Sequence, residues 1–235
     1  GQAVSTIKAA TEGIDAAANI LTQMQAVTSQ AVTEGQLIAR QVDIAFDNNV
    51  EALIAQGYTA VDSSTTAAEL QALLDTDNAK VVLTEDISLS GNLTLHGKNI
   101  VFNGGGHKIT LSSGSIMNYG ADAVFENMQV QSNSEKKGWL TRGIHSSGAN
   151  TTVRNVEITL NNVKNVGYGV ELRGSGTVEN LNIKLNGEAE QLIGVYVVDT
   201  SRIDNVNVAL DGSSKTLMSA IASISTNVEV ARIGM

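Results

Sequence analysis

One asparagine-led pattern recurs through the second half of this chain, and it narrows the possible folds more than any other feature. It occurs as "KNIVF" at 98–102, "ENMQV" at 126–130, "RNVEITL" at 154–160, "ENLNIKL" at 179–185, "DNVNVAL" at 204–210 and "TNVEVARI" at 226–233. Aligning on Asn99, Asn127, Asn155, Asn180, Asn205 and Asn227 gives intervals of 28, 28, 25, 25 and 22 residues. Each asparagine is followed by alternating apolar and polar residues, the period of a strand. A second element lies between the repeats: "GIHSSG" at 143–148, "GVELRG" at 169–174 and "GVYVVD" at 194–199. Each repeat thus holds two or three short strands and no helix long enough for a leucine-rich or βαβ unit. Such units stack as the turns of a parallel β-helix. Asparagine suits the corners, because it tolerates the left-handed conformation and its amides can bond from turn to turn.

The pattern predicts inward columns from Val156/Ile158, Leu181/Ile183, Val206/Val208 and Val228/Val230. The composition agrees with an aliphatic interior: 42% of residues are hydrophobic, only 3% are aromatic, and there is no Pro. Proline would remove a ladder donor from an interior strand. The chain also has no Cys, which excludes disulfides and thiolate metal sites and fits either the cytosol or an exported structural protein. A net charge of −9 without a basic stripe argues against nucleic acid as a partner. No apolar run approaches the roughly 20 residues of a membrane span.

The segment "STTAAELQALLDTDNAKVVLTEDISLSGNLTLHGKNIVFNGGGHKITL" at 64–111 reads as a lead-in with a short capping helix near 66–74. Thr65 or Thr66 with Glu69 forms a capping box there. This stretch resembles the N-terminal cap and first coils of right-handed β-helix proteins of the pectin-lyase type. The resemblance supplies the handedness. The expected fold is therefore mainly β: a right-handed parallel β-helix over 58–235, preceded by an α-helical coiled-coil or bundle segment over 1–57.

In that first segment, Ile7, Ala10, Ile14, Ala17, Leu21 and Met24 recur at alternating three- and four-residue spacing, with Thr28 and Ala31 after them. This is a heptad seam, three of its eight positions alanine, and it requires partner helices. A second helical pattern is expected over 36–57, carried by Leu37, Ile38, Val42, Ile44, Ala45, Val50, Leu53 and Ile54 and ending at Gly57. The pair reads either as an αα-hairpin cap or as half of a bundle. The stretch "GQAVSTIKAATEGIDAAANILTQMQAVTSQAV" at 1–32 is similar to the first long core helix of bacterial flagellins, alphaproteobacterial forms above all. That resemblance implies a structural subunit of the extracellular flagellar filament, exported through the flagellar channel and polymerising with other flagellin subunits. The β-helix would then be its surface-exposed variable domain. Gln23-Met24-Gln25-Ala26 stand where many flagellins carry an Arg-rich stretch, so weak or absent recognition by the innate immune receptor for flagellin is expected.

Aligning the second element stacks His145, Glu171 and Tyr196 at one outward position, with Arg142 and Arg173 beside them. Trp139 lies in the polar stretch "SNSEKKGWLTRG" with Lys136 and Lys137. Trp139, Arg142, His145, Glu171 and Tyr196 are the candidate surface-binding residues, and they suit a glycan or another surface. An adhesin or glycan-binding β-helix is thus the alternative function. A polysaccharide lyase is a further one, but the column holds one carboxylate and no metal-ligand run, so no catalytic residue, metal or cofactor is expected. His96 and His107 read as solvated turn histidines. "NGGGHK" at 103–108 lies between two strands, so no helix N-terminus makes it a phosphate loop. "NLT" at 92 and "NTT" at 150 match the N-glycosylation pattern.

Overall fold

The computed structural model describes residues 1–5, 8, 10–13, 42–133, 140–225 and 227–234, the side chains of 213–216 excepted. Within them the chain is a parallel β-solenoid of about seven turns. The strands are β1 (Thr59–Val61), β2 (Lys80–Leu83), β3 (Ile87–Ser90), β4 (Leu93–Leu95), β5 (Val101–Asn103), β6 (Lys108–Ser112), β7 (Ile116–Asn118), β8 (Val124–Asn133), β9 (Leu140–Ser146), β10 (Thr151–Val163), β11 (Val166–Leu172), β12 (Gly176–Val197), β13 (Ser201–Ser223), β14 (Val228–Val230) and β15 (Ile233–Gly234). They form three parallel faces. Face one stacks β1, β2, β5, the first parts of β8, β10, β12 and β13, and β14. Face two stacks β3, β6, the later parts of β8 and β10, the middle of β12 and of β13, and β15. Face three stacks β4, β7, β9, β11 and the ends of β12 and β13.

Alternation decides what fills the interior. Val156, Leu181 and Val206 are in register and buried, as are Ile158, Ile183 and Val208. Each such side chain contributes about 1.5–3 kcal/mol of burial. Val228 and Val230 depart from expectation. They pair with Ser201 and Ile203 on face one, and Ile233 takes the place under Val206. The asparagine alignment fails with them. Asn127, Asn155, Asn180 and Asn205 share the corner between faces one and two, all with positive φ. Asn99 precedes its face-one strand instead and lies at the other corner with Asn78, Asp122 and Asn150. Asn227, one residue before Val228, also falls at that other corner, in line with Thr200. For Asn99 the reason is local: two corners need a residue that accepts the left-handed region, and asparagine serves both.

The side chains at these corners form ladders. Asn180 Nδ2 donates to Asn155 Oδ1 at 3.2 Å, and Asn205 Nδ2 to Asn180 Oδ1 at 2.8 Å. Asn99 Nδ2 donates to Asn78 Oδ1 at 2.8 Å, and a third ladder runs from Asn186 through Asn161 to Asn133. Asn180 sits mid-ladder at φ 55°. Asn180→Ala removes both amide bonds and places an ordinary residue in the left-handed region. The expected loss is about 2 kcal/mol in denaturant unfolding. Asn180→Gly should recover the backbone share; equal losses for Ala and Gly would contradict this account.

The capping helix forms as expected. Helix α2 (Ala67–Leu74) follows helix α1 (Val50–Ala55) and begins at Thr66, whose Oγ1 accepts from Glu69 N at 3.2 Å while Thr66 N donates to Glu69 Oε2 at 2.8 Å. Leu70 and Leu74 are buried. The helical pattern expected over 36–57 is corrected: within the described part only Val50–Ala55 is helical, and residues 42–49 have no regular secondary structure. Val42, Ile44 and Phe46 turn inward and alternate with exposed Asp43, Ala45 and Asp47, a strand-like period hidden among helix-compatible residues. Residues 2–5 and 10–13 are helical, so Ala10 of the seam lies in helix. Ile7, Ile14, Ala17, Leu21 and Met24 lie outside the described residues. No helix among those described is long and apolar enough to cross a membrane.

Candidate functional site

The outer side of face three carries the most unusual surface of the molecule. In β9, β11 and the end of β12, alternation turns Ile144, Val170 and Val195 inward and His145, Glu171 and Tyr196 outward, in register on successive turns. This is the column expected from the sequence, with Met117 before it and Ala222 after it. Arg142 lies beside it, in register with Tyr168. Trp139 lies outside the described residues.

Glu171 is the hub. Its side chain is fully buried although its strand position faces outward. Oε2 accepts from Arg142 Nε and lies 2.8 Å from His145 Nδ1, while Oε1 accepts from Arg173 Nε at 2.8 Å. An ionised carboxylate only accepts, so His145 Nδ1 carries the proton in this contact. Its other nitrogen, Nε2, lies 3.0 Å from Ser147 Oγ. Burial alone pushes the Glu171 carboxyl up. The hydrogen bond from His145 and the charge of Arg142 outweigh burial, and the group falls from 4.5 to about 2. Burial and the neighbouring Glu171 charge also push the Tyr168 phenol up.

Aromatic rings frame this hub. Tyr168 stacks on Tyr196 with centroids 5.0 Å apart. Tyr119 stacks on His96 at 5.4 Å and meets His145 edge-on at 6.1 Å. His96 is therefore more than a solvated turn residue: it closes one end of an aromatic strip, its Nδ1 3.2 Å from Asp75 Oδ1. Three of the chain's four Tyr and two of its three His gather here. Tyr119 is 47% exposed, and the Arg173 side chain is 52% exposed. The remaining histidine, His107, lies apart, 3.5 Å from Asp86.

Sequence reasoning missed Tyr119, Tyr168 and the part played by His96. A signal existed. His96, Tyr119, Ser147 and Arg173 each precede a glycine, Gly97, Gly120, Gly148 and Gly174, and these are in register at the end of face three. Aligning on those glycines rather than on the asparagines brings His96, Tyr119 and Arg173 into line. A shallow cleft of about 500 Å3 opens around the corner, two residues beyond Arg173, lined by Ser175, Thr177, Thr200, Arg202, Asn227 and Glu229.

Chemically, the surface offers exposed ring faces, hydroxyls and one half-exposed guanidinium on a rigid sheet. Rings and hydroxyls of this kind bind sugars and other polar surfaces through stacking and hydrogen bonds. Among the described residues no three His, Asp or Glu side chains converge as a metal site would need. Residues 60–172 match the sequence profile of a family described as a pectate lyase-like adhesive domain, a span that runs from β1 to the end of β11 and includes Tyr119, Arg142, His145 and Glu171. No curated protein and no solved structure gives a significant match to the chain.

Proposed function

We propose that the solenoid is a cell-surface adhesive domain that holds glycans, or a surface bearing them, on the outer side of face three. The observation that carries this reading is the gathering of Tyr119, Tyr168, Tyr196 and His96, three of them among the chain's four Tyr, around a fixed Arg–Glu–Arg–His network. The match of residues 60–172 to an adhesive domain family supports it. The solenoid is taken as right-handed, in keeping with its likeness to pectin-lyase type β-helices.

Binding proceeds without turnover in this reading. Both ring nitrogens of His145 are engaged, and Glu171 is held by two guanidinium groups, so neither is poised to move a proton to or from a substrate. A glycan array probed with the whole chain tests the proposal. A defined set of glycans should bind, and Tyr119→Ala should weaken that binding at least tenfold at unchanged Tm. Empty arrays, or a Tyr119→Ala variant that binds as before, would dismiss face three as the adhesive surface.

A narrower proposal concerns display. The likeness of residues 1–32 to the first core helix of flagellins supports an extracellular position on the flagellar filament, in homopolymer with other subunits. Immunogold microscopy with antibody to the solenoid tests it separately. Gold along filaments supports the filament reading, and label on the cell body alone overturns it while leaving adhesion standing.

A further inference from the structure

Residues 42–50 do not simply link the N-terminal segment to the first turn. Asn182, outward-facing in the middle of β12, grips the backbone of Val42 on both sides: its Oδ1 accepts from Val42 N at 2.8 Å, and its Nδ2 donates to Val42 O at 2.7 Å. The two residues are 140 apart in sequence. Further on, the chain passes over the glycine corner between β5 and β6. A methyl in place of the Gly106 hydrogen would stand 3.3 Å from Phe46 Cβ, and one on Gly105 would stand 2.9 Å from Val50 Cγ2. Gly105 and Gly106 both have positive φ, and a Cβ on Gly105 would also meet the Leu83 carbonyl at 2.6 Å, so the corner stays free of side chains and the strap fits over it.

The distances agree with an extended strap laid across the strands. From the turn containing Asn182 back to the turn containing Gly106 is three turns, about 14 Å at the spacing of hydrogen-bonded strands. Four extended residues, from Val42 to Phe46, cover about 13 Å. Asn182 is in register with Glu157, and Glu157 with Gln129, so the strap crosses a continuous polar column on face two.

We propose that the outer side of face two is the docking surface for the chain's own residues 42–50. The strap fastens the N-terminal segment to the flank of the solenoid, beside Asn182, rather than letting it issue from the capped first turn. This inference stands independently of what face three binds.

Nitroxide labels on Asp43 and Lys184, both exposed, test it by pulsed electron resonance in the whole chain. The expected result is one short, narrow distance distribution. Val42→Pro removes the gripped N–H and leaves the solenoid sequence untouched, so it should broaden and lengthen the distribution at unchanged Tm. Asn182→Ala should speed hydrogen exchange at Val42 at least tenfold. A broad distribution in the unsubstituted chain, or Val42 exchange that is unaltered in Asn182→Ala, would overturn the docking.

Discussion

Glu171→Gln lowers the stability of the solenoid by about 3 kcal/mol, because it removes the only anion among two guanidinium groups and an imidazole while leaving them in place. For a chain of this size that corresponds to a fall in Tm of about 10 °C. Arg142 and His145 bear most of the loss, since their side chains are 17% and 5% exposed, whereas Arg173 can turn to solvent. Arg173→Gln should therefore cost much less, within about 1 kcal/mol. If the two variants lose equal stability, Glu171 is not the hub that the geometry describes.

The same carboxylate gives a pH signature. Its folded value is depressed, from 4.5 to about 2, so the stability it contributes is fully present above pH 4.5. That stability fades as the pH falls from about 4.5 toward 2. The Tm gap between the wild-type chain and Glu171→Gln should accordingly be widest near neutrality, constant down to about pH 5, and mostly closed at pH 2. A gap that stays constant over the whole range would assign the loss to shape rather than charge. The sugar-binding reading is coupled to this, because Glu171 fixes Arg142, His145 and Arg173, and His145 meets Tyr119 edge-on. Weakened glycan binding is expected in Glu171→Gln even where the fold survives.

How much of this was legible in the sequence varied from corner to corner. Val156/Ile158, Leu181/Ile183 and Val206/Val208 were readable because strand alternation has one period and an inward position tolerates few residue types. His145, Glu171 and Tyr196 were readable for the same reason, at constant offset from Gly143, Gly169 and Gly194. Asn99 was misplaced because two corners make the same backbone demand, and a shared demand yields a shared residue without a shared position; Asn227 stands one strand early, in line with Thr200. Residues 42–49 were misread because Val42, Ile44 and Ala45 fit a helical face as well as a strand one. Only the distant Asn182 decides between them, through bonds no local pattern contains. Tyr119 and His96 were missed because their partners are brought close by stacking of turns, not by spacing along the chain.

That stacking is close at the glycines of the corner between faces three and one, and Gly148→Ala should be among the most damaging single methyl additions in the molecule. A Cβ there would be driven into the carbonyl of Gly120 on the preceding turn, with Asn118 Nδ2 at 3.1 Å. The obstructing atoms are backbone, held by the ladder, so no rotamer change relieves the clash. Gly120 stands in the same relation to the Gly97 carbonyl, and Gly174 to that of Gly148, so the column has no slack on either side. Forcing the turns apart breaks ladder bonds on both neighbouring turns. The expected cost is about 3 kcal/mol, at the upper end for overpacking. Gly91→Ala makes the control. Its φ of +79° strains an alanine, but nothing lies within 4 Å of the new methyl, so its cost should stay near 1 kcal/mol. Denaturant unfolding of both variants separates close approach from backbone conformation: similar losses would mean that the turns are free to part at this corner. A large loss for Gly148→Ala alone would locate the rigidity of the face-three strip in its glycine column. Tyr119 and Arg173 then keep their spacing because Gly120 and Gly174, the residues after them, permit no more than one carbonyl between turns.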